Sequence, residues 1–273
     1  MGSLLTTLDD QAPGRLATYA AADFDACDLA ARARRCGMFV HVVIPARDEE
    51  ATIGPIVETL RRRLVEEVAL VDDLVVVDDG SRDATALVAA GAGARVVEGP
   101  GLGKGEAMAT AFAALGERAR RPGSLVVFLD GDVVGFRAEF VTGLVGPLLE
   151  DESLLLVKAA YRRPIDGAPT GGGRVTELVA KPALSLLVPE LAALSQPLAG
   201  ETALRGALLS ELDLAGGYAV EMAMLLDTYR RHGLSALAEV DLGERRHRNR
   251  SLEELVPQAR AVLAAVLERS APR

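Results

Sequence analysis

Four short aliphatic runs alternate with helical patterns in the first half of the chain, and this alternation most constrains the fold. Strands are predicted at residues 39–44, 74–77, 94–99 and 125–129, the first of them stopped by Pro45. Each strand is followed by a turn rich in aspartate, glycine or proline and then by a helical pattern. Such alternation predicts an α/β fold with a parallel, doubly wound sheet, whose ligand site lies beyond the carboxyl ends of the strands.

The helical predictions set the outline of the rest of the chain. An amphipathic helix is predicted from Arg15 to Arg35, because apolar residues recur there at helical spacing. Further helices are expected to start with Asp48, Glu49 and Glu50 in a first turn, near Asp83, and over 106–120. We therefore divide the chain into a helical arm, 1–38, an α/β core, 39–150, and a second lobe folded onto it, 151–273.

Composition excludes several classes of protein. The net charge of −9 argues against binding to nucleic-acid backbones or to an anionic membrane surface. No apolar stretch approaches the roughly 18 to 20 residues that span a bilayer, and the N-terminus lacks a signal-peptide pattern. The two cysteines, Cys27 and Cys36, do not suggest a disulfide framework. A soluble, cytoplasmic protein with reduced thiols is expected.

Two aspartates, Asp130 and Asp132, flank Gly131 at the end of the fourth strand. Carboxylates in this position can hold Mg²⁺ or Mn²⁺, which prefer oxygen ligands. A glycine between them lets a substrate approach closely. The same pair could instead solvate a turn or cap the next helix, so the motif alone leaves both interpretations open.

The glycine-rich segment GPGLGKGEAM differs from the two common nucleotide-binding loops. Gly105 stands where a Walker loop has Ser or Thr, and Glu106 stands where a dinucleotide fingerprint has glycine. Lys104 before a helix still suits a phosphate or a uracil carbonyl, or else is a solvated loop lysine. Asp79, in the turn DDGS, could likewise bind a ribose or a base, or only cap a helix.

Taken in order, the motifs VVIPARDEEATI, LVVVDDGSRDAT, GKGEAM and VVFLDGD resemble the GT-A fold of nucleotide-sugar glycosyltransferases. The later segments VKAAYRRP, GGGRVTELVAKP, QPLAGE, GYAVEMAMLLDTY and LGERRHRNR resemble the glucosyl-3-phosphoglycerate synthases of actinobacteria, a retaining family. The resemblance covers almost the whole chain. It implies a Rossmann-like, mostly parallel sheet in which 39–150 binds the nucleotide sugar and 151–273 is a C-terminal acceptor-binding lobe.

The resemblance implies an activity: metal-dependent transfer of glucose from UDP-glucose to the 2-hydroxyl of 3-phospho-D-glycerate, with retention, by a homodimer that uses Mg²⁺ or Mn²⁺. The chain has PARDEE and VDDGS where the family commonly has PALNEE and LDSGS. By the resemblance these changes place Arg47, Asp48 and Asp79 beside the nucleoside, where they could alter which nucleotide sugar is preferred. GDP-mannose or another nucleotide sugar, and a phosphorylated sugar or cyclitol acceptor, therefore stay open. A catalytically silent nucleotide-sugar sensor is the alternative from another class.

Site residues follow from the resemblance by position. The donor residues are Pro45, Ala46, Arg47, Asp48, Glu49, Asp79, Lys104, Asp130, Tyr218, Glu221, Arg245 and Arg250. The acceptor residues are Gly173, Arg174, Val175, Thr176 and Asn249, and the metal ligands are Asp132 and His247. Arg174 independently suits a phosphate, since a guanidinium binds phosphate bidentately, although GGGR could also be a flexible loop.

The catalytic residues implied are Glu221 and Asp130. Glu221 is the one candidate for a nucleophile in a double displacement. A front-face route needs no such nucleophile, because the leaving diphosphate helps deprotonate the acceptor hydroxyl, and this is the route we favour. Glu221 could also be no more than a helix carboxylate.

Overall fold

A computed structural model describes residues 15–162, 173–244 and 252–270. Its strands are β1 Ala17–Ala20, β2 Phe39–Ala46, β3 Asp73–Asp78, β4 Arg95–Glu98, β5 Ser124–Phe128, β6 Leu156–Arg162, β7 Thr202–Arg205 and β8 Leu237–Glu244. They form one sheet in the order β1-β8-β6-β7-β5-β2-β3-β4. Within this sheet β7 runs antiparallel to β5 and β6, and the other neighbours pair in parallel. The predicted α/β fold with a mostly parallel sheet is confirmed.

Helices cover both faces of the sheet. They are α1 Ala26–Arg35, α2 Ile53–Leu60, α3 Thr85–Ala92, α4 Lys104–Leu115, α5 Glu117–Arg120, α6 Glu139–Glu150, α7 Lys181–Leu187, α8 Val220–His232 and α9 Leu252–Ser270. A π-helical segment, Arg61–Glu67, continues α2, and another, Thr176–Ala180, precedes α7. Short 3₁₀ turns occupy Ala21–Asp23, Pro189–Leu191, Gly206–Ser210, Gly217–Ala219 and Leu234–Ala236.

Two apolar clusters lie on opposite faces of the sheet. Val42 and Ile44 of β2 pack with α1, α2, α3 and α6 in one cluster. Val43, between them, packs with α4, α7, α8 and α9 in the other. Because successive side chains of a strand point to opposite faces, a strand buried on both faces appears as a continuous aliphatic run. The structure is therefore a sheet between two helical layers.

The N-terminal segment differs from its prediction. The helix predicted from Arg15 begins only at Ala26, where the Asp25 carboxylate accepts the backbone N–H groups of Cys27 and Asp28. Before it, β1 pairs in parallel with β8 at the edge of the sheet. Local periodicity could not indicate this pairing, because the partner strand lies near the other end of the chain. The sheet thus draws strands from all three predicted segments.

The predicted ends of β2 and of the next helix were also wrong. β2 continues through Pro45 to Ala46. The backbone polar groups of Pro45 face β5, as those of Val43 do. The pairing of β2 with β5 ends at Val43 and Phe128, so no hydrogen bond between these strands requires an N–H at Pro45. The helix expected to start at Asp48 begins only at Ile53, because Asp48 adopts a left-handed conformation with φ of 56°. The helix predicted over 106–120 is divided at Gly116 into α4 and α5.

Among the described helices, even the longest, α9, fails to combine the length and apolar character that crossing a membrane requires.

Candidate active site

The carboxyl ends of β2 and β3 carry two turns that are bound to each other. The Asp48 backbone N–H donates to Ser81 Oγ at 3.0 Å, and the Glu49 N–H donates to Thr85 Oγ1 at 2.8 Å. In return, Asp48 Oδ1 accepts the N–H of Arg82 at 2.7 Å. These bonds satisfy backbone N–H groups that would otherwise have no partner in the protein. They therefore hold the turn that contains the predicted donor residues 45–49 in one conformation.

Asp79 holds the glycine-rich loop. It is buried, and its two carboxylate oxygens accept the N–H groups of Gly101 and Gly103, each at 2.8 Å. Arg47 reaches the same loop, donating from Nη1 to the Gly101 carbonyl at 3.3 Å. Gly103 has φ of 124°, which favours glycine, and leads directly into α4. The two hydrogen bonds accepted by Asp79 therefore fix the backbone that leads into Lys104, the first residue of α4.

The turn after β5 lies against the end of β2. A Cβ atom placed on Gly131 would lie 3.3 Å from the Cβ of Ala46, and the Gly131 carbonyl accepts the Thr52 hydroxyl at 2.7 Å. Glycine between the two aspartates thus permits close approach, here to a neighbouring loop. The structure brings the turn after β2, the glycine-rich loop and the Asp130–Asp132 turn together, as the strand order predicts.

Lys104 is the centre of the site. Its Nζ lies 2.5 Å from Asp130 Oδ1 and 2.7 Å from Glu221 Oε1. These side chains are mostly buried, with exposed fractions of 19%, 23% and 10% respectively. Burial alone would lower the pKa of Lys104, but the two carboxylates outweigh it and raise that pKa above its ordinary value. Lys104 therefore favours the charged ammonium form, and it joins two residues predicted to be catalytic.

The start of α4 also anchors the segment that carries Tyr218 and Glu221. A Cβ atom on Gly105 would overlap the Ala215 carbonyl oxygen, and Glu106 Oε2 accepts the Gly217 N–H at 3.0 Å. The two positions at which this loop departs from known nucleotide loops therefore have a structural reason. Gly105 has no room for a hydroxyl-bearing side chain, and Glu106 docks the turn before α8.

Two buried charged residues next to this site, Lys158 and Glu239, were not identified by the sequence analysis. Lys158 of β6 is 1% exposed, and burial lowers its pKa to about 8, although the Glu221 carboxylate opposes that shift. Glu239 of β8 is also buried, and burial raises the pKa of its carboxyl group against the hydrogen bonds from Ser195 and Gln196. The available signal was a lone lysine in the aliphatic run LLLVKAAY.

The predicted acceptor and metal residues are described only in part. Gly173 is half-buried and Arg174 exposed at the start of the helix that leads into α7, while Val175 and Thr176 are buried. Val175 belongs to the same apolar cluster as Val220 of α8. The predicted acceptor residue Asn249, the metal ligand His247 and the donor residues Arg245 and Arg250 lie outside the described residues.

The described ranges hold no group of three or more His, Cys, Asp or Glu side chains arranged for a metal ion. Asp132 is half-buried and follows directly on Gly131. Its carboxylate is a suitable hard ligand for Mg²⁺ or Mn²⁺. Because its predicted partner His247 is not described, the assignment of these two residues to a metal stays a prediction.

Comparisons with known proteins show which sequences the chain is similar to. The sequence model of the family described as Glycosyl transferase family 2 matches residues 41–179. The glucosyl-3-phosphoglycerate synthase of Mycolicibacterium paratuberculosis is 45% identical over 252 residues, which are 87% of this chain and 74% of that protein.

Solved structures resemble almost the whole chain. Glucosyl-3-phosphoglycerate synthase from Mycobacterium tuberculosis, in complex with Mn²⁺, UDP-glucose and phosphoglyceric acid, matches with a TM-score of 0.82 and 42% identity, covering 94% of this chain and 89% of that one. Mannosyl-3-phosphoglycerate synthase from Rubrobacter xylanophilus matches with a TM-score of 0.84 and 41% identity, covering 93% and 80%.

Proposed function

Because this chain belongs to the glycosyl transferase family 2 and, within it, to the glucosyl-3-phosphoglycerate synthases, we propose that it transfers glucose from UDP-glucose to 3-phospho-D-glycerate. The 2-hydroxyl of the acceptor is glucosylated with retention of the α-configuration. The observation that carries the proposal is the 45% identity to a synthase over 87% of this chain. In this proposal residues 39–150 bind the donor, and residues 151–273 supply the acceptor site.

A divalent cation, Mg²⁺ or Mn²⁺, completes the donor site in this proposal, held by Asp132 and His247. The mycobacterial synthase complex with Mn²⁺ and UDP-glucose supports this choice. When bound, the cation would offset negative charge on the departing UDP. The site's own residues do the positioning: the Asp79-held loop places Lys104, and Lys104 holds Asp130 and Glu221 beside the sugar.

The acceptor hydroxyl attacks the anomeric carbon on the face from which UDP leaves. The bond from that carbon to the diphosphate oxygen breaks, the new glycosidic bond forms, and the hydroxyl proton passes to the departing diphosphate. The ion pair of Glu221 with Lys104, at 2.7 Å, supports this front-face route. A carboxylate stabilised by a neighbouring ammonium is a poor nucleophile, whereas the same pair is well suited to orient the sugar.

The variant Glu221→Gln tests whether a carboxylate nucleophile is required. We expect kcat to fall by about tenfold, because a neutral amide oxygen still accepts from Lys104 but without charge assistance. Turnover and the anomeric configuration of the product are the measurements. The exposed Glu253→Gln, on α9, is the matched control. Loss of all turnover in a folded Glu221→Gln protein would favour double displacement.

Release of UDP from UDP-glucose tests the proposed function itself. We expect release to require both 3-phosphoglycerate and Mg²⁺ or Mn²⁺, and to stop with a chelator. Tight UDP-glucose binding with no release across a panel of phosphorylated sugars and cyclitols would instead identify a nucleotide-sugar sensor. Transfer to another member of that panel would keep the fold and reaction class and change the acceptor.

GDP-mannose is the second donor candidate, favoured by the similarity to the Rubrobacter mannosyl-3-phosphoglycerate synthase at a TM-score of 0.84. Arg47 and Asp79, both departures from the usual turns, lie at the glycine-rich loop where a base would be held. Asp79 is engaged by two loop amides, so it shapes the pocket through that loop. Competition between UDP-glucose and GDP-mannose at equal concentration measures the preference.

We further propose that the enzyme is a cytoplasmic homodimer. The exposed, unpaired thiols of Cys27 and Cys36 suit a reducing compartment. Several large apolar side chains are exposed on the segment 176–187 and on α9, which pack against each other, and we call this set of side chains the α7–α9 face. It contains Leu178, Leu186, Leu187, Leu252, Val256, Leu263 and Leu267. Exposed apolar area of this kind is typical of protein interfaces.

Introducing a charge into the α7–α9 face tests the dimer. Leu186, 81% exposed, becomes glutamate, and we expect the mass from light scattering to fall to that of a monomer because a buried unpaired charge is costly at an interface. Leu87→Glu is the matched control, since Leu87 is 76% exposed on α3, in the other helical layer. An unchanged mass for Leu186→Glu would move the interface elsewhere.

A further inference from the structure

The buried lysine of β6 is the strongest unexplained feature of the described chain. Lys158 pairs in register with Thr202 of β7 on one side and with Glu239 of β8 on the other. Its Nζ donates to the Ala199 carbonyl at 2.9 Å and to Thr202 Oγ1 at 3.1 Å. A buried ammonium loses hydration and must be compensated, so its position in the middle of a sheet calls for a reason beyond packing.

The segment that Lys158 holds, 195–201, is fixed at both ends by polar groups of the sheet. Glu239 accepts the N–H groups of Ser195 and Gln196, at 2.7 and 3.1 Å. The Thr202 hydroxyl contacts the same Ala199 carbonyl as Lys158, at 3.4 Å. At the far end the Ala159 N–H donates to the Glu201 carbonyl at 3.0 Å. The backbone of this segment is therefore held by side chains of β6, β7 and β8 and by one backbone N–H of β6.

The same segment packs directly against the Lys104–Asp130 ion pair. A Cβ atom on Gly200 would overlap Asp130 Oδ1 and would lie 2.5 Å from Lys104 Nζ. Gly200 follows directly on Ala199, the residue whose carbonyl Lys158 holds. A shift of the Ala199 carbonyl would thus move Gly200 into, or away from, the ion pair.

We propose that Lys158 is a positioning residue for glucosyl transfer: its buried ammonium holds the 195–201 segment, and through Gly200 it sets the place of Lys104 and Asp130 under the sugar. The inference rests on the proposed function. Lys158 acts through Gly200 rather than on the substrate. Burial lowers the pKa of Lys158 to about 8, because the charged ammonium loses hydration. The Glu221 carboxylate opposes this shift and favours the ammonium form.

The variant Lys158→Met, which keeps the apolar stem, tests the proposal. We expect kcat to fall by about 100-fold, since a small misplacement of a reacting group has an effect of this size. Binding of UDP, which lacks the sugar, should keep its wild-type affinity and its stoichiometry by calorimetry. A merely structural role would instead reduce the number of UDP-binding sites and leave kcat per site unchanged.

A milder variant keeps the test decisive if Lys158→Met does not fold. The isosteric Thr202→Val removes one of the two hydrogen-bond partners of Lys158, and we expect about a tenfold loss of kcat per UDP-binding site. Thr142→Val, at a buried threonine of α6, is the matched control and should keep wild-type kcat.

Wild-type kcat per site in Thr202→Val, or in a folded Lys158→Met, would overturn the inference and leave the proposed function standing. A wild-type chain that releases no UDP on addition of 3-phosphoglycerate would overturn the proposed function, and the inference with it.

Discussion

Replacement of Lys104 by methionine should lower kcat/KM for UDP-glucose by on the order of 1000-fold, because removal of one member of a buried charge group costs several kcal/mol. Without the ammonium, Asp130 and Glu221 are two carboxylates close to the same point, at 2.5 and 2.7 Å from the lost Nζ. Without the ammonium between them the two carboxylates repel each other and move apart, so we expect the sugar to lose its positioned anionic partners.

The matched control is Lys181→Met. Lys181 also forms an ion pair with a glutamate, Glu177, at 2.6 Å, but it does so on a helix surface with 34% of the side chain exposed. Exposed pairs of this kind contribute little, so this variant should keep wild-type kinetics. Kinetics and UDP affinity by calorimetry are measured for both variants. A folded Lys104→Met protein within tenfold of wild-type kcat/KM would contradict the central role assigned to Lys104.

Replacement of Asp132 by alanine should abolish metal-dependent turnover, with a loss on the order of 1000-fold, because stabilisation of leaving-group charge by a cation contributes several kcal/mol. The residual rate should be the same with Mn²⁺ as with a chelator. The fold should stay intact, since Asp132 is only half-buried and belongs to neither apolar cluster of the core. Thermal unfolding and Mn²⁺ binding in the presence of UDP are measured alongside turnover.

Asp28→Ala provides the comparison for this variant, since Asp28 is an exposed aspartate in the first turn of α1. It should keep wild-type metal dependence. If Asp132→Ala still binds Mn²⁺ with wild-type affinity and keeps metal-dependent turnover, Asp132 is not a ligand. The metal would then have to be assigned to other residues at this edge of the sheet.

The sequence allowed β3, β4 and β5 to be located closely, but not β1 at the opposite edge of the sheet from β4. β3 and β5 lie within one residue of their predictions at both ends, because strands buried on both faces are continuous aliphatic runs. β1 was assigned to a helix, since its four residues form a strand only through pairing with β8. Local pattern carries no information on a partner so far along the chain.

The sequence named Asp79, Lys104, Asp130 and Glu221 as candidate site residues, but it did not show which groups they contact. That Asp79 binds two loop amides, and that Lys104 joins Asp130 to Glu221, depends on loops brought together by the sheet. Lys158 was missed because its role arises from Thr202 and Ala199, which lie some forty residues further along the chain.

The order of strands, turns and charged motifs along the chain was sufficient for the α/β class, the GT-A resemblance and the candidate residues. These depend on hydrophobic periodicity and on residue types at short spacing, which are local properties. The pairing of β1 with β8, the seating of Gly200 under the Lys104–Asp130 pair and the burial of Lys158 were decided only by the tertiary structure. Each of these depends on a distance between segments far apart in sequence, and such distances are set by packing of the whole core.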